Sequence, residues 1–389
     1  MKQNGEGRNV KRMICALMLL AAMAQGALAQ TELCVFVADG ALDAETARQM
    51  VRFMQQAMPE AAFTLELGEE SGAGLREKVL GDRAPDIAIA APEAVALWAR
   101  EGLLLPLQGA VAGEKTLEKT VAAACTDAGN MFMAPLFVRH RSMAVNRKLM
   151  EDRHLGALLN TRDYPVWMPM QMQQVLEEFA LNGMTAMDVW PPCGEGETLL
   201  ALVQAIYGAP LMAELPLPST GALEAGVTWV HEMVESGLIR VAGSREEALE
   251  RFIDGETAMF CGFTEEDAQR AQREGLEDVA ILQYPSSTGL PVRDFTVTGA
   301  AVFMTGDEAH DRLAFDAVSF LTGDARVSAL WGETGANQDG TLWLPVLGTS
   351  VRGAAVRSAF SQALMNVLAG EMQPGEAVRA ANAAGRGAR

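Results

Sequence analysis

The first part of the chain alternates short apolar runs with segments of helical periodicity. Glu32 to Ala38, Ala62 to Leu67 and Ile87 to Ala90 are apolar runs of strand length. Between them, Leu42 to Met58 repeats apolar residues at helical spacing, and Pro92 opens a helix that continues to Arg100. Strands that alternate with helices predict right-handed βαβ units and a parallel sheet.

A long strand-like stretch follows, Met131 to Leu149, with the sequence MFMAPLFVRHRSMAVNRKL. After it the alternation of strands and helices begins again and continues to Tyr284, and Phe295 to Met304 is a further strand. We therefore expect Met131 to Leu149 to leave one α/β block and enter a second. The chain should return along Phe295 to Met304, and a cleft should lie between the two lobes.

The remaining predicted elements belong to the second block and the C-terminal section. The expected strands are Thr185 to Trp190, Thr257 to Phe260 and Val279 to Tyr284. The expected helices are Met170 to Leu181, Glu197 to Tyr207, Leu223 to Ser236, Glu246 to Ile253, Glu265 to Arg273, His310 to Leu321, Ala325 to Trp331, Ala354 to Leu368 and Glu376 to Ala384. We expect the last six residues to be a frayed tail.

Composition narrows the class of protein. The 389 residues are 49% hydrophobic and 21% charged, enough for a sizeable core and for two or three domains. The formal net charge is -19. Phosphate binding depends on clustered lysine and arginine, so this balance argues against a nucleic-acid partner.

The N-terminus has the three-part pattern of a secretory signal peptide. Basic residues between positions 8 and 12 precede the apolar stretch Met13 to Ala24, and Ala27 to Ala29 supplies a small-x-small cleavage pattern. We interpret residues 1–29 as a cleaved signal peptide, with an uncleaved anchor as the alternative. No lipobox precedes Cys34. The mature protein is expected in the periplasm or outside the cell.

Four cysteines follow the signal peptide: Cys34, Cys125, Cys193 and Cys261. An even number in an oxidising compartment permits disulfides in three connectivities. Cys193 and Cys261 each follow a strand-like run and are one candidate pair. The alternative is that all four are buried as small hydrophobic residues.

Enzyme motifs are mostly absent. The sequence has no nucleophile elbow and no phosphate-binding loop, and Gly194-Glu195-Gly196 lacks the third glycine of a dinucleotide fingerprint. The four histidines are not spaced as metal ligands, so we predict neither a metal site nor a cofactor. An exported two-lobe protein without catalytic motifs has the properties expected of a ligand-capturing protein.

Three segments give the chain a family resemblance. Ala134 to Phe137 followed by Ser142 to Leu149 resembles a first crossing strand. Ala248 to Gly262 (ALERFIDGETAMFCG) resembles a helix, a strand and a following glycine. Thr298 to Leu330 resembles a second crossing strand and its helix, in which Ala314 to Leu321 (AFDAVSFL) is similar to the pattern A-x-x-F-x-x-F-L but has Ala317 in place of the first phenylalanine. In this order they resemble the extracellular solute-binding proteins of ABC importers, family 1, the sugar-binding, maltose-binding-protein-like group.

The resemblance implies a periplasmic-binding-protein-like α/β fold, in which two lobes are joined by crossing strands and a ligand cleft lies between them. It implies an N-terminal lobe of residues 30–138 and 297–342 and a C-terminal lobe of residues 139–296 and 343–389. The implied function is capture of a small solute, a carbohydrate or another polar molecule, by lobe closure. The implied partner is the membrane permease of an ABC importer, and the protein is expected to be a monomer.

Seven residues are candidates for ligand binding. Arg139 lies in the crossing segment, where the resemblance implies that it faces the cleft; it suits a carboxylate, phosphate or sulfonate, and a salt bridge to a carboxylate such as Asp294 is the alternative. Trp190 and Phe263 are candidates for stacking on a ligand ring, and packing in the core is the alternative for both. The full set is Asp39, Glu93, Arg139, Trp190, Phe263, Arg293 and Asp294.

The sequence also departs from the sugar-binding pattern. Val145 replaces the usual aromatic residue before Asn146, and Arg139, His140 and Arg141 introduce positive charge where relatives often have acidic or small residues. The chain has only three tyrosines and six tryptophans, so aromatic platforms for sugars are scarce.

Two other functions fit the same fold. One is an enzyme that uses a cleft cysteine as nucleophile, for which Cys193 with Glu195 nearby is the candidate pair, although no neighbouring cation would lower the thiol pKa. The other is a ligand-sensing protein that docks on a membrane receptor.

Overall fold

A computed structural model of the protein gives the architecture. It describes residues 30–38, 41–68, 84–111, 119–127, 129–160, 162–163, 166–190, 198–209, 220–331, 342–343 and 351–387. The predicted signal peptide, residues 1–29, lies outside the described residues.

The first block consists of short strands and helices in alternation, as the apolar pattern predicts. Helix α1 (Ala44–Ala57) is capped by Asp43, whose carboxylate accepts hydrogen bonds from the backbone N–H groups of Glu45 and Thr46 at 3.0 Å each. Helix α2 (Pro92–Arg100) begins at a proline, whose missing N–H costs nothing in the first turn. The elements are β1 Thr31–Ala38, α1 Ala44–Ala57, β2 Ala61–Gly68, β3 Ile87–Ala90, α2 Pro92–Arg100, α3 Lys119–Ala124, β4 Thr126–Asp127 and β5 Asn130–Met131.

The predicted crossing strand is one strand of 13 residues, β6 Ala134–Asn146, followed by α4 Arg147–Asp152. Its first part pairs with β11 Val292–Val302, with Ala134 opposite Ala300 and Arg141 opposite Asp294. Its last part pairs instead with a strand of the second block, so that Ser142 lies opposite Phe263. Strand β6 therefore leaves one block and enters the other between Arg141 and Ser142.

The second block repeats the alternation of strands and helices. Helix α8 (Arg245–Ile253) is capped by Ser244, and helix α9 (Glu265–Arg273) is capped by the reciprocal hydrogen bonds of Thr264 and Asp267. The elements are α5 Pro169–Leu181, β7 Met187–Val189, α6 Thr198–Ile206, α7 Thr220–Glu235, β8 Ile239–Val241, α8 Arg245–Ile253, β9 Met259–Phe263, α9 Glu265–Arg273 and β10 Val279–Leu282.

After β11 the chain returns first to the first block and then to the second. The remaining elements are α10 Glu308–Gly323, α11 Ala325–Ser328, β12 Leu342–Trp343, α12 Val351–Leu368 and α13 Pro374–Gly387. Helix α12 packs against α7 and α13 of the second block and also contacts α2 of the first. The predicted frayed tail is wrong for most of its length, because α13 continues to Gly387.

The sheet has the strand order β2-β1-β3-β11-β6-β9-β7-β8. The outer pairs are parallel, as predicted: β1 with β2 and β3, and β7 with β8 and β9. The two long strands in the middle run antiparallel to each other and to their neighbours β3 and β9. The predicted two-lobe α/β fold is confirmed.

Two main hydrophobic cores lie on either side of these middle strands. The core of the first lobe takes residues of β6 up to Phe137 and of β11 from Phe295 onward. The larger core of the second lobe takes residues of β6 from Met143 and of β11 only Val292. A smaller cluster of the second lobe surrounds Phe260. We define the first and second lobes by these two cores. The predicted lobe boundaries concern which residues move together, and they stay a prediction.

Candidate functional site

The carboxyl ends of parallel strands from both lobes point to one place. Strand β3 ends at Ala90, opposite Gly299 of β11, and β9 ends at Phe263, opposite Ser142 of β6. The segment between these contacts holds residues 139–141 of β6 and 294–296 of β11. Because α/β sheets bind ligands beyond the carboxyl ends of their strands, this crossing segment is the floor of the candidate cleft.

A buried ion pair joins the two crossing strands. Arg141 and Asp294 are directly opposite each other, with Arg141 Nε 2.7 Å from Asp294 Oδ2 and side chains only 7% and 8% exposed. Burial raises the pKa of Asp294, and the nearby Arg141 opposes that rise. The hydroxyl of Tyr284 is also buried, and its pKa is raised by burial first and by the charge of Asp294 second. This part of the floor is charged and nearly closed to water.

Arg139 lies two residues before Arg141 and takes a different partner. Its Nη2 is 3.3 Å from Oε1 of Glu266, in the first turn of α9. Its guanidinium also lies 5.1 Å from the centre of the Phe137 ring, which itself packs at 5.2 Å against Trp331. The sequence allowed a salt bridge from Arg139 to Asp294, but the partner is Glu266, because the strand register places Asp294 opposite Arg141. Arg139 therefore links the crossing strand to the second lobe.

The two aromatic candidates are packed inside the second lobe. Trp190 is 2% exposed and stacks on Phe260 at a ring separation of 5.1 Å, and Phe263 is 3% exposed with its ring edge-on to Phe260 and Phe252. No described residue accepts a hydrogen bond from the buried Trp190 Nε1. Both rings make packing contacts in this structure, and their contact with a ligand stays a prediction.

Three further candidates are Asp39, Glu93 and Arg293, and the structure describes the backbone of the last two. Asp39 lies outside the described residues. Glu93 is the second residue of α2, whose cap is Ala91, so Glu93 is not the cap of that helix. Arg293 pairs with Trp343 of β12 beside the crossing.

The candidate enzyme pair, Cys193 and Glu195, lies outside the described residues. The sulfur atom of Cys261, the other cysteine of the candidate disulfide, lies 3.5 Å from the sulfur atom of Met187.

The seven candidates omit two arginines whose guanidinium groups have a buried nitrogen atom. Arg141 was noted only as part of a charged run, although its burial follows from the register with Asp294. Arg357 lies in α12 next to the fully buried Val356, and its own Nη1 atom is buried. Burial lowers the pKa of the Arg357 guanidinium to about 9, since the cation loses hydration. Arg357 is one of two arginines in α12, and nothing in the sequence around it indicates this burial.

The described part of the chain contains neither a metal-binding cluster nor a membrane-spanning helix. Within it, no group of three or more histidine, cysteine, aspartate or glutamate side chains is arranged to hold a metal ion. None of its helices is both long enough and apolar enough to cross a membrane.

Comparison with known proteins places the fold. No family model matches the sequence, and no curated protein matches it either. Solved structures do match: the GacH receptor of Streptomyces glaucescens GLA.O, described unliganded and with acarbose, is 15% identical with a TM-score of 0.70, covering 92% of this chain and 98% of that one.

Two further structures agree. The cyclic alpha-maltosyl-1,6-maltose binding protein from Arthrobacter globiformis is 18% identical with a TM-score of 0.70, covering 92% of this chain and 99% of that one. A family 1 extracellular solute-binding protein from Bifidobacterium longum subsp. infantis is 13% identical with a TM-score of 0.66, covering 91% and 98%. The chain therefore has the two-lobe fold of these extracellular solute-binding proteins over nearly its whole length.

Proposed function

We propose that this protein captures a small polar solute outside the cytoplasm and delivers it to the permease of an ABC importer. The main observation in support of the proposal is the pair of strands that passes between the two lobes. Two paired strands, β6 and β11, pass from one hydrophobic core to the other at the carboxyl ends of the parallel strands of both lobes. Strands of this kind form a hinge at the floor of a cleft.

Lobe closure is the proposed means of capture. Each lobe has its own core, and close-packed cores move as rigid bodies rather than deforming continuously. Bending of the crossing strands would bring the two cleft walls onto a solute and bury most of its surface. We propose that these residues contribute to the site: Asp39, Glu93, Arg139, Trp190, Phe263, Arg293 and Asp294.

The setting proposed for this function is extracytoplasmic. Residues 1–29 would direct export and be removed, and the protein would act as a monomer in the periplasm or outside the cell. The extracellular and binding-protein descriptions of the structural neighbours support this setting and a carbohydrate as the first solute to test. We propose no catalytic step.

Ligand binding tests the function directly. The purified protein without its signal peptide would be screened by thermal shift against saccharides, polyols, organic acids, amines and oligopeptides. A true solute at one hundred times its dissociation constant should stabilise the protein by about 2.7 kcal/mol, and the effect should saturate. Small-angle scattering with that solute should show a smaller radius of gyration. If no solute in the panel stabilised the protein, the proposal would lose its support.

A further inference from the structure

We propose that Arg139 of β6 and Glu266 of α9 form an ion pair between the two lobes, which favours the closed form and weakens as salt is added. The main observation is the distance of 3.3 Å between Arg139 Nη2 and Glu266 Oε1, because the two side chains are anchored in different lobes. Lobe closure is part of the proposed function, on which this inference rests. The test uses sodium chloride and requires no solute.

The side chain of Arg139 is anchored on the first lobe. Its guanidinium lies 5.1 Å from the centre of the Phe137 ring, and that ring packs at 5.2 Å against Trp331. Phe137 belongs to the core of the first lobe, and Trp331 packs against the same core. A cation is attracted to the face of an aromatic ring, so this contact should keep Arg139 with the first lobe when the lobes separate.

The strand register places Arg139 on the polar face of the crossing. Side chains alternate along a strand, so Arg139 shares its face with Arg141, and Thr296 lies directly opposite it on β11. The alternate residues of β11, Phe295 and Val297, are buried in the first-lobe core on the other face. The ion pair therefore forms on the polar face of the two strands that join the lobes.

Glu266 belongs to a fixed part of the second lobe. It lies in the first turn of α9, whose cap, Thr264, directly follows β9. The neighbouring Asp267 is buried and accepts hydrogen bonds from the N–H and hydroxyl groups of Thr264 at 2.8 and 2.9 Å. Asp267 also pairs with Arg245 at the start of α8. These contacts hold the first turn of α9 on the second lobe, so opening of the cleft should draw Glu266 away from Arg139.

A second contact between the lobes shows that the cleft walls touch in this structure. Helix α12, whose Phe360 lies in the second-lobe core, contacts α2, whose Trp98 lies in the first-lobe core. Helix α2 begins two residues after the carboxyl end of β3, at the cleft edge of the first lobe. The Arg139–Glu266 pair is therefore a contact of the closed form.

The strength of this pair suits the control of closure better than the support of the fold. Glu266 is 73% exposed, and ion pairs of such exposure are weak and sensitive to salt. Each lobe has its own core, so both lobes should stay folded without the pair. Open and closed forms that differ little in free energy are nevertheless shifted by a weak interaction present in only one of them. Loss of the pair should lower the ratio of closed to open molecules by about two- to fivefold.

Distances between spin labels would measure this ratio. The labels would be attached to p-acetylphenylalanine introduced in place of Leu97 and Val241, so that the native cysteines stay unlabelled. Both positions are exposed, and they lie in different lobes, on α2 and at the carboxyl end of β8. Double electron–electron resonance would be recorded without solute at about 0.01 and 1 M sodium chloride, which set Debye lengths of about 30 and 3 Å. The population at the shorter distance should fall about two- to fivefold, relative to the longer, at high salt.

Variants of the two charged residues should reproduce the effect of salt. Glu266→Gln and Arg139→Gln should each lower the ratio of closed to open molecules about two- to fivefold at low salt and remove most of the salt response. The double variant should resemble either single variant, because the same interaction is lost in all three.

The matched control is Glu265→Gln, an exposed glutamate in the same first turn of α9, which removes the same charge from the helix terminus. It should keep the ratio and the salt response of the wild type. A second pair of labels within the second lobe, at Leu181 and Val241, should report one distance under all conditions.

Three outcomes would overturn the inference. The first is a distance distribution between the lobes that changes neither with salt nor in the Glu266 and Arg139 variants. The second is an equal loss of the closed form in Glu265→Gln, which would show a general effect of charge at the start of α9. The third is a full salt response in both single variants, which would assign the effect to other charges. Solute binding is decided separately by the thermal-shift screen, so either proposal can fail while the other stands.

Discussion

Arg141 and Asp294 face each other across the two crossing strands, 2.7 Å apart and almost fully buried. A slip of one residue between the strands would turn one of these side chains to the opposite face and leave the other buried without its counter-charge. The pair therefore fixes the register of the strands that we propose as the hinge, and with it the alignment of the two lobes.

The first prediction concerns this pair. Asp294→Ala should lower the free energy of unfolding by about 3–5 kcal/mol, because it leaves the Arg141 cation buried without its counter-ion. Arg141→Ala should cost a similar amount. The double variant should cost clearly less than the sum of the two, which urea unfolding would measure as a double-mutant cycle. Additive losses would show that the two side chains act independently.

The second prediction is a pH dependence. Burial raises the pKa of Asp294, so the folded protein holds this proton more tightly than the unfolded chain does. The resulting stabilisation is complete below the unfolded pKa of about 3.9 and is lost as pH rises through the folded pKa. The unfolding free energy of the wild type minus that of Asp294→Asn should therefore decrease as pH rises from about 4. A difference that grew with pH would mean that attraction to Arg141 outweighs burial.

The third prediction uses the close contact at Gly299. A Cβ atom there would lie 2.5 Å from Met133 Cγ and 2.6 Å from the carbonyl oxygen of Ala134, which belongs to the backbone of β6. Gly299→Ala should destabilise the protein by about 1–3 kcal/mol, since one of the two strands must shift. Gly221→Ala is the matched control in α7, where a Cβ meets no atom within 4 Å, and it should be neutral or slightly stabilising. Equal effects at both positions would contradict the packing argument.

The fourth prediction contrasts the two ion pairs of the crossing. Glu266 is largely exposed, so Glu266→Gln should change the free energy of unfolding by less than about 1 kcal/mol. Asp294→Asn, measured in parallel by urea unfolding, should have a much larger effect because its partner is buried. A loss at Glu266 as large as that at Asp294 would show that the Arg139 contact is a structural element of the fold.

The fifth prediction concerns thiol reactivity. Cys125 and Cys261 are buried; burial raises the pKa of Cys261 to about 12 and that of Cys125 further still. Iodoacetamide at pH 8 should therefore leave both unmodified in the folded protein and label both after unfolding, as mass spectrometry would show. If Cys261 required a reductant before it could be labelled in the unfolded chain, a disulfide such as Cys193–Cys261 would be present.

Local patterning accounted for most elements of the fold. Ile87–Ala90, Pro92–Arg100 and Glu265–Arg273 have the predicted bounds, because apolar period, prolines and capping residues act within a few positions. The crossing strand was also predictable, because it stands between two blocks of alternating strands and helices. Strand β8, Ile239–Val241, was missed, since three residues after a helix carry little period and are held by pairing with β7.

The sequence by itself therefore determined the order of strands and helices, the two α/β blocks and the crossing between them. Only the tertiary structure decided which charges meet. Arg141 pairs with Asp294 and Arg139 with Glu266, and the Nη1 atom of Arg357 is buried on a helix that contacts both lobes. It also placed Trp190 and Phe263 in packing contacts. Periodicity reports which side of an element is buried, whereas the partner of a side chain depends on strand register and on contacts between residues far apart in the chain.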